Sequence, residues 1–379
     1  MILQNAEYIL RQKMDDSLDF NNTSRHGNTG NGTHTTWDYY GTLQTSLYGI
    51  WLVLIIVFSV VGNILVMIVI CMVRNMRSVD KGLHLFLFSL AMTDMMTGIF
   101  VVPVSLNTLI HEEWLFGHFL CSLNMFLDCT LLLTSTHILM FISIHKYVTV
   151  KRLSQCNTRP VSKCACFVMI GASWLWGVCF AVLATVGLSK AEYKIKTTQC
   201  GPKYPDFTTI SVALHAINVL LNIVIPFCIM LAMYVKIYYA MKETGEFRRH
   251  SARIEPEMKS SSGEKAAINT LVIVITCFIV CWLPYVSYTN YVFFTSDRHA
   301  IPADFNPLAY YFGFTNSACN PIIYAFRFKD FRNGYKQIFK VITFRKQRDN
   351  ALTKDDAIAG INLVKQSDAV RHKNGRFPN

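Results

Sequence analysis

The apolar residues of this chain gather into seven long blocks that are separated by polar segments. Each block approaches or exceeds the roughly 20 residues that an α-helix needs to cross a bilayer. The predicted helices are apolar on every side, whereas a helix of a soluble bundle has one apolar stripe and a charged opposite face. We therefore predict an all-α membrane protein, a bundle of seven transmembrane helices termed span one to span seven. The predicted spans are 47–73, 83–108, 118–147, 163–188, 208–240, 265–296 and 303–326.

Composition agrees with a membrane protein. Of the 379 residues, 52% are hydrophobic and 16% are charged, against roughly 25% charged residues in a soluble domain. The net charge is +12, but a basic excess within so little total charge argues against a nucleic-acid-binding domain, which clusters its basic residues on one face. We expect the lipid bilayer as a partner and no nucleic acid.

Lysine and arginine mark the side of the membrane on which each loop lies. They are concentrated in the loops after spans one, three and five, for example at Arg74, Lys151 and Arg248. Such loops are cytoplasmic under the positive-inside rule, although the lysines between spans four and five are a mild exception. The N-terminus is then extracellular and the C-terminus cytoplasmic. The N-terminal segment agrees, because it contains glycosylation sequons that begin at Asn21, Asn22 and Asn31.

The chain is predicted to have four parts. A glycosylated extracellular tail covers 1–46, the seven spans cover 47–326, and a disordered cytoplasmic tail covers 342–379. The segment 327–341 places aromatic residues such as Phe331 on one face and basic residues off it. That pattern predicts an amphipathic helix at the membrane surface.

Position separates two of the 12 cysteines from the rest. Ten lie in spans or cytoplasmic segments, where cysteines act as small apolar residues or stay reduced. Cys121, at the outer end of span three, and Cys200, between spans four and five, face the oxidising side. One extracellular disulfide is therefore expected.

Polar side chains inside the spans are candidates for function. A charge at the centre of a transmembrane helix costs about 2.5–3.5 kcal/mol, so such groups usually face the bundle interior. Asp128 in span three lies ~10 Å inside Cys121 at the helical rise per residue, the depth of a pocket open to the outside. Ser135 and Lys146 continue the same helical stripe to mid-membrane and to the inner end. The remaining polar positions are Asn63, Asp94, Asn316 and Asn320.

A series of short motifs, one after another along the spans, is informative as a set. Asn63 follows Gly62, LAMTD ends at Asp94, WLFG precedes Cys121, FIVCWLP ends at Pro284, and NPIIY begins at Asn320. Together they resemble the class A, rhodopsin-like, G-protein-coupled receptors, over about 47–341. The resemblance implies a plasma-membrane receptor without enzymatic activity. It also implies heterotrimeric G proteins, arrestin and a receptor kinase as partners.

Asp128 resembles the aspartate that anchors the ligand in biogenic-amine receptors. A carboxylate surrounded by aromatic faces suits an organic cation. Two alternatives stay open: Asp128 anchors a basic peptide, or it bonds Tyr310 and holds spans three and seven together. The ligand-binding residues that the resemblance implies are Asp128, Asn218, Asn222, Trp282, Tyr285, Tyr288, Tyr310, Tyr311 and Phe314.

Several positions depart from the amine-receptor pattern. Leucines from Leu131 to Leu133 stand where small polar residues are usual, Tyr311 replaces a tryptophan, and Phe314 replaces a tyrosine. Asn218 and Asn222 stand where catecholamine-type receptors have serines, so they either read the ligand or bond between helices. Span seven has no lysine, which excludes a retinal Schiff base. The identity of the amine is therefore open.

A polar centre is expected at mid-membrane. By resemblance to the family's sodium pocket, its residues are Asp94, Ser135, Asn316, Ser317 and Asn320. Oxygen ligands around one carboxylate suit a small hard cation such as Na⁺. The alternative is a hydrogen-bonded network that holds water and no ion.

The inner end of span three reads His145-Lys146-Tyr147 where most of the family has Asp-Arg-Tyr. Lysine keeps the charge but lacks the planar fork of arginine. We expect Glu264 to pair with Lys146 in a weakened lock, which implies raised basal signalling or weak coupling. Tyr234 and Tyr324 are the inner switch tyrosines by resemblance.

The sequence thus predicts a receptor for an extracellular small amine that activates heterotrimeric G proteins. The alternatives within the same fold are a receptor for a basic peptide and a receptor that couples weakly or constitutively. A seven-span transporter would show repeats and discontinuous helices, and we find neither.

Overall fold

The computed structural model describes 41–73, 80–154, 161–188, 191–193, 198–202, 213, 216–251, 261–294, 304–328, 331–341 and 343. The predicted sequons at Asn21, Asn22 and Asn31 and the tail from 344 lie outside these residues. Within them, seven helical segments run in the order and close to the positions that the apolar blocks predict.

Several of the spans contain a short π-helical stretch. Span one consists of Thr42–Val57, π-helical Phe58–Gly62 and Asn63–Val73, and span two consists of Lys81–Met96, π-helical Thr97–Val101 and Val102–His111. Span four consists of Lys163–Val182 and π-helical Leu183–Leu188, and span five consists of π-helical Leu220–Val224 and Ile225–Ser251. The other three spans are continuous α-helices: span three is Gly117–Ser154, span six is Ser261–Phe294 and span seven is Phe305–Arg327.

Span seven differs from the others in polarity. Six of the helices in the described part are long and apolar enough to cross a membrane, and they correspond to spans one to six. The helix of span seven carries hydroxyl and amide groups at Thr315, Asn316, Ser317 and Asn320, which lower its mean hydropathy. These groups face the bundle, since all but Thr315 are buried. The predicted seven-helix bundle is confirmed.

Two prolines in the spans lie close behind π-helical turns. Proline lacks the N–H that an α-helix uses and its ring crowds the carbonyl four residues earlier. Pro103 lies two residues after the turn Thr97–Val101, and Pro226 lies two residues after Leu220–Val224. A π turn absorbs the crowding within a helix. Pro284 and Pro321, by contrast, lie inside continuous helices.

A small hairpin covers the predicted outer end of the bundle. Ala191–Tyr193 pairs antiparallel with Cys200–Pro202. A disulfide joins Cys200 to Cys121 at the start of span three, and both cysteines are buried. The predicted disulfide is confirmed, and it ties the hairpin to the top of the central helix.

Span three is the central helix of the bundle. Ile138, Leu139 and Ile142 on this span are almost fully buried in the main apolar cluster. Large apolar side chains on peripheral spans point outward, for example Leu175 with 66% exposure and Leu231 with 65%. An outer surface of this kind is compatible with contact to lipid tails and not with water.

The predicted amphipathic helix is present over 331–341. Phe331 is buried against span seven, and Tyr335 and Ile338 pack partly against the same cluster. Phe339, by contrast, is 72% exposed. Its ring is displaced from the protein core and faces the surroundings at the inner end of the bundle.

Candidate functional site

Asp128 faces a cavity between spans two, three, six and seven. Its side chain is half-buried. The cavity extends from Asp128 toward the middle of the bundle, past apolar and then polar side chains. Its lining includes Leu131, Trp282, Phe314, Ser135, Asn316 and Ser317. The cavity therefore connects the predicted ligand anchor with the predicted polar centre.

The position of Trp282 at this cavity depends on a glycine in span seven. A Cβ atom on Gly313 would meet the indole ring at 2.8 Å. The bare backbone of Gly313 therefore lets the ring lie directly against span seven. Tyr285, one turn further along span six, packs edge-on to Trp282 with ring centroids 5.6 Å apart.

No described residue donates a hydrogen bond to the Asp128 carboxylate. Tyr285 and Tyr310 are close enough to interact with it electrostatically. Their own contact is with each other, with ring centroids 5.0 Å apart. The bond from Tyr310 to Asp128 that a structural lock requires is not formed. Asp128 is thus a carboxylate in the bundle without a protein partner in the described part.

Two of the predicted pocket aromatics have contacts outside the cavity. Tyr311 is fully buried and packs edge-on against Tyr48 and Trp51 of span one, at 5.5 and 6.0 Å between ring centroids. It therefore joins spans one and seven and does not line the cavity. Tyr288 packs against Phe305 at the start of span seven.

Asn218 and Asn222 form a hydrogen-bonded chain with a residue of span four. Asn222 donates to the side-chain oxygen of Asn218 at 2.8 Å, and the indole N–H of Trp176 donates to Asn222 at 2.8 Å. Asn222 is buried. This geometry matches the predicted alternative of bonding between helices, because both ends of the Asn222 amide are occupied.

Asn124 is a polar residue of the outer pocket region that the sequence analysis did not single out. It lies one helical turn before Asp128 on span three and is buried. Its amide oxygen and nitrogen both lack a hydrogen-bond partner among the described residues. The one-turn spacing to Asp128 was the available indication.

The polar centre joins spans one, two, three and seven. The Asn320 amide donates to the Asp94 carboxylate at 2.7 Å, and Ser317 also lies within bonding reach of Asp94. The Ser135 hydroxyl bonds Thr93 at 2.9 Å. Asn63 donates to the backbone carbonyl of Ser317 at 3.0 Å, so span one is tied to the same centre.

At the inner end, Lys146 has an acidic partner that sequence analysis missed. Its Nζ atom lies 3.1 Å from a carboxylate oxygen of Asp80, and His145 Nε2 lies 3.6 Å from the other. Asp80 also caps the helix of span two by accepting from the Leu83 N–H at 3.1 Å. Asp80 directly precedes span two, so a search for charges inside the spans passes over it.

The basic residues of this ion pair are largely withdrawn from solvent, whereas the Asp80 side chain is 29% exposed. Lys146 is 8% exposed and His145 is 2% exposed. Burial alone would raise the pKa of the Asp80 carboxyl, but the charges of Lys146 and His145 and the Leu83 N–H outweigh it. They hold that pKa below its ordinary value of 3.8. The carboxylate that position 145 lacks is thus provided from span two.

The other predicted switch residues occupy different surroundings. The side chain of Glu264 lies outside the described residues, so its pairing with Lys146 stays a prediction. Tyr147 lies beneath two lysine ammonium groups at 5.6 and 5.9 Å from its ring centroid. Tyr324 is buried against Phe331, whereas Tyr234 is 36% exposed.

Comparison with known proteins agrees with the fold. Residues 62–324 match the family described as 7 transmembrane receptor (rhodopsin family). Trace amine-associated receptor 1 of Mus musculus is 30% identical over 326 residues, which cover 83% of this chain and 95% of that receptor. The histamine H2 receptor of Canis lupus familiaris is 27% identical, over 76% of this chain and 78% of that receptor.

A solved structure shows the same fold. The crystal structure of squid rhodopsin superposes with a TM-score of 0.70 over 83% of this chain and 92% of that one, at 19% identity. The chain belongs to the rhodopsin family of seven-transmembrane receptors. It is a multi-pass membrane receptor, not an enzyme, and it is related to G-protein-coupled receptors for amines.

The stabilising effect of Asp80 is expected to depend on pH. Since its pKa is depressed in the folded chain, its contribution is present above 3.8 and is lost as the pH falls through the depressed value. Near neutral pH, Asp80→Asn should destabilise the chain by about 1–3 kcal/mol, because it leaves a buried ammonium group unpaired. Asparagine caps a helix as well as aspartate, so the loss reports the charge.

Melting temperatures of the purified protein in detergent, measured over a pH series, test this expectation. The difference between the native chain and Asp80→Asn should shrink at the acidic end of the series. The double variant with Lys146→Gln is the control, and it should melt no lower than the single variant because no charge is left unpaired. A difference that stays constant with pH would contradict the assignment.

Proposed function

We propose that this receptor binds a small extracellular amine through Asp128 and activates heterotrimeric G proteins. The observation that carries the proposal is the carboxylate itself, half-buried at a cavity and without a hydrogen-bond donor among the described residues. A charged group inside a membrane bundle needs a partner. A ligand ammonium group supplies that partner through a charge-assisted hydrogen bond.

The surroundings of Asp128 favour an organic cation over an inorganic one. Trp282 and Phe314 line the cavity beside the carboxylate, and the Tyr285 and Tyr310 rings stand close to it. Aromatic faces attract a cation with a carbon framework, and they also exclude water from the ion pair. The two relatives named for amine ligands support the same class of ligand.

Residues other than the span-five amides are better placed to recognise polar groups of the ligand. Asn218 and Asn222 are engaged with each other and with Trp176, so reading a ligand there would break an existing bond. Both polar atoms of the buried Asn124 amide lack a partner among the described residues. We assign it as the more suitable partner for a polar group on the ligand, on the outer side of the ammonium site.

The proposed orientation places the N-terminus and the disulfide outside, in the plasma membrane. The basic loops after spans one, three and five support it, because such loops are retained in the cytoplasm. The disulfide supports it as well, since disulfides persist in oxidising compartments. The G protein, arrestin and a receptor kinase would then meet the end that carries Lys146.

We propose that Asp80 restrains coupling to the G protein. The Lys146–Asp80 pair joins the inner ends of spans two and three at 3.1 Å. It can restrain the inactive arrangement although position 145 carries no acid. On this proposal the receptor has low basal activity, in contrast to the raised activity that the altered triplet alone suggests.

We also propose that Na⁺ occupies the polar centre. Asp94 supplies the negative charge, and Ser135, Ser317 and Asn316 supply hard oxygen donors around it. An ion held there would add to folded-state stability by mass action.

The melting temperature should therefore be higher in NaCl than in KCl for the native chain. Asp94→Asn should remove this difference, and an equal salt response in both chains would point to a network without an ion.

Asp128→Asn is expected to abolish the amine response. Replacing the carboxylate by a neutral amide removes the charge-assisted bond, and a loss on the order of 100-fold in potency corresponds to roughly 3 kcal/mol. The measurement is a panel of biogenic and trace amines on cells that express the receptor, read by cAMP and calcium. Surface expression is measured in parallel.

Asp304→Asn is the matched control for this experiment. Asp304 is also an acid near the predicted outer end, but it is already bonded to the Gln44 amide at 2.7 Å. This variant should respond like the native chain. Full amine potency in Asp128→Asn at normal surface expression would refute the anchor. A response to basic peptides alone would transfer the proposal to the peptide alternative.

Basal signalling separates the two accounts of the inner end. If Asp80 restrains the receptor, Asp80→Asn should raise basal signal several-fold at equal surface expression. The double substitution His145→Asp with Lys146→Arg, which restores the family's triplet, should change basal signal little. A large fall in basal signal on restoring the triplet, with no effect of Asp80→Asn, would establish constitutive coupling through a weakened lock.

A further inference from the structure

Three cysteines converge between spans six and seven, away from the cavity at Asp128. Cys277 and Cys281 lie one helical turn apart on span six, with their sulfur atoms 4.0 Å from each other. Cys319 faces them from span seven. All three sulfur atoms lie within 4.8 Å of one another. We propose that this cluster is a binding site for monovalent copper, Cu(I).

The spacing of the sulfur atoms suits a single ion. With metal–sulfur bonds of about 2.3 Å, three sulfurs around one metal are roughly 3.8–4.0 Å apart. One pair already has this separation, and the rest of the cluster needs to contract by less than an ångström. Rotation about the side-chain χ1 bonds achieves such a movement without a shift of either helix.

The chemistry of the ligands and of their surroundings selects the metal. Thiolates prefer soft ions such as Cu(I) and Zn²⁺ over hard ions. The cluster lies inside two membrane spans, where net charge is costly. Cu(I) that displaces one thiol proton gives an electrically neutral site: a copper–sulfur bond forms, the proton passes to water, and no electron is transferred. Zn²⁺ would have to displace two thiol protons to give a neutral site, and it takes four ligands in structural sites, one more than this cluster supplies.

The position of the cluster indicates what a bound ion would do. Cys281 is buried, whereas Cys277 and Cys319 are partly exposed. Cys281 directly precedes Trp282, and Cys319 directly precedes Asn320 of the polar centre. A bound ion would tie spans six and seven together beside both residues. The binding itself does not depend on the amine ligand or on G-protein coupling.

Copper retention by the purified, reduced receptor tests the site. The full chain in detergent is equilibrated with Cu(I) in the presence of a competing Cu(I) chelator, which keeps isolated thiols empty, and is then desalted. We expect one copper per native chain, a shell of sulfur neighbours by X-ray absorption, and a higher melting temperature with the metal than without it.

Substitutions assign the copper to the cluster. Cys277→Ser and Cys319→Ser should each abolish retention, while Cys228→Ser, at an exposed cysteine of span five, should retain one copper per chain. Melting temperatures of the metal-free variants establish that each is folded. Absence of copper in the native chain, equal retention in all three variants, or retention of Zn²⁺ but not Cu(I) would overturn the proposal.

Discussion

The cost of holding a charge inside a bilayer governs the arrangement of this receptor. Asp94 is buried and is bonded by Asn320, and Lys146 is buried and paired with Asp80. Each charge therefore has a partner supplied by another span, and each partnership fixes two helices relative to one another. Asp128 is the exception among the described membrane acids, because no described residue bonds its carboxylate. We propose an external cation as the partner that completes the pattern.

Span three connects these sites physically. Asp128, Ser135 and Lys146 lie along one helix, from the predicted outer pocket through the polar centre to the inner ion pair. The cavity below Asp128 reaches Ser135 and Ser317, so a ligand bound to Asp128 would lie above groups bonded to spans two and seven. We propose that the ion pair at the far end opens and closes, which would make it a two-state element that both ends can bias.

Much of this arrangement could be predicted from sequence, because the bilayer imposes simple patterns. The apolar blocks locate the spans, position identifies the Cys121–Cys200 disulfide, and burial costs single out Asp94 and Asp128. The directions of side chains were harder to predict. Tyr311 packs toward span one, and the Asn222 amide is taken by Trp176, because helix rotation and neighbouring spans decide such contacts. Asp80 was missed because it precedes its span.

We propose that the carboxylate of Asp128 is reserved for a ligand. A cryo-electron microscopy structure of the receptor with an activating amine and a G protein tests this proposal. We expect the ligand nitrogen within about 3 Å of an Asp128 oxygen, with the aromatic rings of Trp282 and Tyr310 beside the ammonium group. A structure in which Asp128 bonds Tyr310 while the ligand nitrogen lies elsewhere would contradict it.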